Sequence, residues 1–193
     1  MTKAVVGLKN LRYAILQEDT ETGVTYDAVK RFAPAINANI NRNSSSTSLY
    51  ADDGVTEVAT SAGETELELG IADIPQEVQA DILGHEIRAG VLVRSNKDVA
   101  PYVAIGFESE CADGSIKYVW LYKGKFQVPS QEHNTKGESV EFQTRTITGK
   151  FANRDFDGIT DIEANSKSTG LPAGLINGWF DDVVQPEDLV ATP

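Results

Sequence analysis

The residues best placed to do chemistry lie in the stretch NRDFDGITDIEA, residues 153–164, where oxygen-bearing side chains alternate ahead of a glycine and a glutamate follows. A calcium loop of the EF-hand kind takes ligands at positions 1, 3 and 5, a glycine at 6 and a bidentate glutamate at 12. With Asn153 at the first position, Asp155, Asp157 and Gly158 fall in register, but Glu163 stands at the eleventh place and Ala164 at the twelfth. The ligand that closes the cage is missing. The stretch upstream, ESVEFQTRTITGKFANR, alternates as a strand does, whereas an EF-hand needs a helix there. Asp155, Asp157 and Gly158 therefore read as the turn that ends a strand, and no metal is assigned.

Other reactive side chains are sparse. His85 follows an expected helix end, His133 sits in the turn QEHNTKG, and Cys111 is the single cysteine. Neither histidine neighbours a nucleophile motif. Phosphate-binding glycine loops, a G-x-S-x-G elbow and H-E-x-x-H are all missing from the sequence, so no catalytic residue, cofactor or zinc site is expected. A lone cysteine closes no intrachain disulfide, which suits a reducing compartment. Carboxylates are abundant, with 29 acidic against 17 basic residues and a formal net charge of -12. That balance disfavours a chain that grips nucleic acid or an anionic membrane, since both demand neutralising cations. Glu64, Glu66 and Glu68 form a row on one side of ETELELGI, about 7 Å apart along the strand, where they repel one another with no local benefit.

The elements that hold these residues speak mainly in period two. Thr65, Leu67, Leu69 and Ile71 oppose the glutamate row. SIKYVWLYKGKFQV sets Ile116, Tyr118, Trp120, Tyr122 and Phe126 on one side and Lys117, Lys123 and Lys125 on the other, and joins PYVAIGFESE through an Asp-Gly turn. Shorter strands are expected at 11–16, 26–32, 35–40 and 86–94, and a longer one at 138–154. IADIPQEVQADILGH predicts a helix capped by Asp73, with Pro75 in its first turn and Gly84 as its stop. LPAGLINGWFDDVV predicts a second, short helix with Trp179 and Phe180 on its apolar stripe.

The expected fold is a mainly β, antiparallel sandwich or barrel of seven to nine strands, with one flanking helix and a short C-terminal helix. A chain of 193 residues is expected to form one domain, burying about 70% of its unfolded surface. Residues 41–63, polar and without a sustained period, read as a long loop, part of it available to an edge hairpin. Loops of that length usually carry function. A C-terminal arm is expected from about residue 185. The first residues form no signal-peptide core, and no apolar run reaches the roughly 20 residues of a membrane span.

In order along the chain, VGLKNLRYAIL, SLYADDGVTEVAT, ELELGIADIPQEVQADILGH, PYVAIGFESECADGSIKYVWLYKGKF and TKGESVEFQTRTITGKFANRDFDG resemble the major tail proteins of long-tailed bacteriophages that infect Gram-positive bacteria. The resemblance spans about residues 5–185. It implies a structural virion subunit, made in the host cytoplasm, whose hexameric rings stack into a tube that conducts DNA during ejection. Its partners would be copies of itself, with tape-measure and tail terminator or baseplate proteins at the tube's ends and core, and DNA passing without specific binding. On that footing Glu64, Glu66 and Glu68 are candidates to face the lumen, and Tyr50, Asp52 and Asp53 to make the ring-to-ring contact. Two alternatives stand beside it. One is a monomeric carbohydrate-binding sandwich with Tyr118, Trp120 and Tyr122 as a stacking platform; the other is a hydrolase with paired carboxylates.

Overall fold

The computed structural model describes residues 5–51, 54–129, 144–172 and 174–189. Eleven strands are described: β1 (Val5–Thr20), β2 (Gly23–Tyr26), β3 (Lys30–Arg31), β4 (Ala35–Ala51), β5 (Gly54–Ile71), β6 (Glu86–Arg88), β7 (Val91–Val93), β8 (Val103–Cys111), β9 (Ile116–Phe126), β10 (Arg145–Ala152) and β11 (Asp161–Asn165). Helix α1 (Gln76–Leu83) separates β5 from β6, and a 3-10 turn covers Pro186–Leu189. All pairings are antiparallel. The main sheet runs β2-β1-β8-β9-β10-β5-β4, with β3 added to β1 and β11 to β9, while β6 and β7 form a small hairpin of their own. The mainly β, sandwich-like class expected from the alternation is the one observed.

The apolar run YVWLY in β9 is buried on both faces, as a strand without polar alternation must be. Val119 and Leu121 enter one core with Leu67, Leu69, Ile105, Ile147 and the helix residues Val78 and Ile82. Tyr118, Trp120 and Tyr122 enter a second core with Trp179, Val183 and Val184. Phe126, expected beside those aromatics, lies in the first core instead. The cause is a register shift: β8 advances two residues from Val103 to Ile105 while β9 spends three between Gly124 and Leu121, and the extra residue flips every later side chain. Gly106, directly opposite Trp120, leaves room for the indole, since a Cβ there would stand 2.7 Å from its ring.

Helix α1 starts and stops differently. Asp73 was expected as its cap, but Pro75 holds the N-cap position without a side-chain cap, and Asp73 faces Arg145 at 3.4 Å. Gly84 ends the helix in the left-handed region, φ 72°, its N–H donating to the Ala80 carbonyl, the conformation for which glycine is suited. The apolar stripe at 175–184 is also real, but it is carried by turns: the N–H groups of Asn177 and Asp181 reach back three residues, to Gly174 and Gly178. Gly174 and Gly178 weaken an α-helix there, and packing of Trp179 on Tyr118, with rings 5.6 Å apart, holds the tighter path. Among the described residues, the helical element at this end is the 3-10 turn.

Two further expectations are corrected. Residues 41–63 are not an irregular loop: β4 and β5 pair from Ala35↔Ile71 out to Ala51↔Gly54, so this segment is the distal part of one long hairpin. The stretch after Gly158 is not merely a linker, because β11 pairs along β9, with Ile162 opposite Trp120.

Candidate assembly surfaces

The proximal half of the β4–β5 hairpin belongs to the core through Leu67, Leu69, Ile71, Ala38 and Ile40. Beyond it the character changes. Every residue from Asn41 to Ser48 is exposed, on both faces of the strand. Ser45 and Ser61 meet across the hairpin at 2.7 Å, a polar contact open to water. From Ser44 to Ala51 the arm spans about 25 Å. A two-stranded ribbon that extends beyond its core is marginally stable alone in water, so an arm of this length is suited to a surface other than its own core. Tyr50 lies on the outer part of β4; Asp52 and Asp53 lie outside the described residues. The root of the arm is tied down by Arg42, whose Nη2 stands 2.5 Å from Asp161 Oδ2 on β11.

On the outer face of β5, opposite the core, Glu64 and Glu68 are exposed and Glu66 is half-buried. The register flanks the row with Asn39 and Asn41 of β4 on one side and Thr148 and Lys150 of β10 on the other. Lys150 Nζ binds Glu64 at 2.8 Å, and that hydrogen bond raises the lysine's pKa. One cation against three carboxylates leaves the face acidic. Such an exposed pair contributes little stability, so the acidic excess serves no evident purpose within the monomer.

The stretch that resembled a calcium loop is a junction. Arg154 is fully buried: its guanidinium forks onto Asp157, donates to Gln185 Oε1 at 2.6 Å, and lies 3.8 Å over the Tyr122 ring. Lys123 Nζ binds Asp155 at 2.9 Å and Asp19 at 2.7 Å. The two aspartates that suggested calcium ligands are thus each held by a cation of the chain itself. Asp19 in turn accepts the backbone N–H groups of Asp155 and Phe156, at 2.9 and 3.1 Å. Together these contacts fasten the end of β1, the bulge of β9, the 154–158 turn and the C-terminal segment. Sequence reading missed this role; the one available signal was an arginine beside the turn, whose partners lie far away in the chain.

Burial works to raise the Asp19 pKa, but Lys123 and the two N–H donors outweigh it and hold the carboxyl below its ordinary value. A depressed carboxylate stabilises the fold above its unfolded pKa, and that contribution is lost as pH falls through the folded one. Urea midpoints of the wild type should therefore fall as pH drops below about 4. Asp19→Asn should be less stable at pH 7 and show a shallower acid dependence; equal slopes would refute the assignment.

His85 Nδ1 meets Asp98 Oδ2 at 2.6 Å, and the same carboxylate accepts the Ser95 N–H at 2.8 Å, so the pair closes the 95–98 turn. Cys111 is buried at the end of β8, and His133 lies outside the described residues. The proposed stacking platform is not available: Trp120 and Tyr122 are fully covered and Tyr118 is 7% exposed. Among the described residues no helix is long and apolar enough to cross a membrane.

Comparison with known families gives one finding: residues 4–169 match the family model described as phage tail tube protein. A search of curated proteins returned no significant match.

Proposed function

The chain belongs to the phage tail tube protein family, and on that premise we propose that it forms hexameric rings which stack into the DNA-conducting tube of a long-tailed phage. The family is structural, not enzymatic, and its members are components of the virion tail that assemble with other tail proteins. The observation that carries the finer reading is the β4–β5 arm, which is exposed on both faces from Asn41 to Ser48 and is longer than the core requires. In the tube it bridges one ring to the next. Tape-measure and terminator or baseplate proteins meet the assembled tube, and synthesis takes place in the host cytoplasm.

The acidic face of β5 lines the lumen in this reading. Each phosphate neutralised by a luminal cation would add retention, and many stacked rings would multiply it, so a wall meant to release DNA is best left negative. Purified protein, concentrated and viewed by negative-stain electron microscopy, should form hollow tubes; a chain that stays monomeric at every concentration, even with a tail initiator present, would sink the reading. Replacing Glu64, Glu66 and Glu68 by lysine should leave tubes intact but slow DNA ejection from the assembled phage by about tenfold or more, and more so at low salt. Unchanged ejection would remove the row from the lumen while leaving the tube standing.

A further inference from the structure

Cations in this acidic chain are mostly spoken for: Lys9 binds Glu110, Lys30 binds Asp81, Lys117 binds Glu163 and Lys150 binds Glu64. Arg12 and Arg31 are among the described cations without such a carboxylate, and they alone of these face each other across a strand pair. They stand directly opposite one another on β1 and β3, a cross-strand placement in which like charges repel. Neither has a carboxylate partner among the described residues, and the buried Nε of Arg12 has no acceptor. Arg31 is exposed and lines, with Lys9 and Asn10, a depression of about 290 Å³ whose apolar residues are Leu8, Leu11, Ala33, Pro34 and Ala35. An apolar floor under an unneutralised cation is built for a partner that brings both side-chain bulk and negative charge.

The position of this depression in the fold says which partner. Ala35, on its rim, is the first residue of β4, and the arm ends at the other end of the same strand. The strand is seventeen residues long, about 50 Å from end to end. The outer arm, residues 43–61, holds Asp52, Asp53 and Glu57 and no lysine or arginine. A basic, half-apolar depression at one end of a strand and an acidic extension at the other are the two halves of a head-to-tail contact, the kind that repeats without closing and so builds a filament.

Resting on the reading of the arm as the ring-to-ring bridge, we propose that the Arg31 depression receives the acidic end of the arm of a second copy in the neighbouring ring. Charge swapping tests it. Arg31→Glu should leave a folded chain by circular dichroism but lower the yield of tubes by about tenfold or more, because it sets like charges face to face. Asp52→Lys with Asp53→Lys should do the same, and the chain carrying all three changes should recover tube formation. Normal tubes from Arg31→Glu, or no recovery in the combined variant, would overturn the proposal. The chain with a shortened arm is the reference: tubes from it refute the bridging role of the arm, whereas its failure beside normal Arg31→Glu tubes refutes the receptor alone.

Discussion

A chain in which residues 45–61 are replaced by Asn-Gly, joining Ser44 to Ala62 by a tight turn, should fold as a monomer and form no tubes. Ser44 and Ala62 are partners in the ladder, so a two-residue turn can close the hairpin at that point. Among the described residues, nothing removed belongs to either core cluster, whose hairpin members end at Ile40 and Leu67. Shortening the connection also reduces the entropy of loop closure, and the monomer should stay within about 1 kcal/mol of the wild type by urea denaturation. Assembly should respond quite differently. If the arm supplies the contact between rings, its loss removes that contact, and electron microscopy should show single rings or monomers. Tubes of normal length would show that stacking is carried elsewhere.

Arg154→Met should have the largest effect on the subunit itself. The guanidinium is buried, and it joins four parts of the chain through Asp157, Gln185, Tyr122 and, at 3.5 Å, the Tyr26 hydroxyl. Methionine fills much of the volume but leaves Asp157 without its fork and Gln185 without its donor. Breaking one side of a buried ion pair costs about 3 kcal/mol or more. In a domain of this size that corresponds to a drop in melting temperature of about 6–12 °C. Arg154→Lys should recover little, because an ammonium can neither fork onto a carboxylate nor stack flat on Tyr122. The C-terminal segment should also become easier to cleave, since Gln185 and Val184, whose carbonyl accepts the Tyr122 hydroxyl at 2.8 Å, are held at this junction. A variant with wild-type stability and protease resistance would show the junction to be incidental.

Strands were legible where burial of one face imposed alternation. Leu67, Leu69 and Ile71 against Glu64, Glu66 and Glu68 is such a case, and the structure places the two sets on opposite faces of β5. The stop of α1 at Gly84 was legible because a left-handed residue is a local need that glycine meets by itself. The arm reads as a loop because SSSTS is polar at every position: with no face to bury, a strand leaves no period. β11 was missed for a related reason. Ile162 and Ala164 are its only apolar residues, and its order comes from the edge of β9 that it pairs with.

The sequence by itself determined what each residue requires of its immediate surroundings: which strands hide a face, where glycine permits a turn, how acidic the chain is, and, through the order of its segments, the family. The tertiary structure decided which distant residues meet. The register of β1 against β3 brings Arg12 and Arg31 face to face, and one extra residue in β9 sends Phe126 to a different core from Tyr122. Asp155 and Asp157 show the same division. Their spacing alone suggested a metal, but their partners are Lys123, some thirty residues earlier, and a buried Arg154 turned inward by packing on Tyr122. A carboxylate's role depends on which cation or donor the fold carries to it, and pairing across the sheet sets that for the whole chain at once.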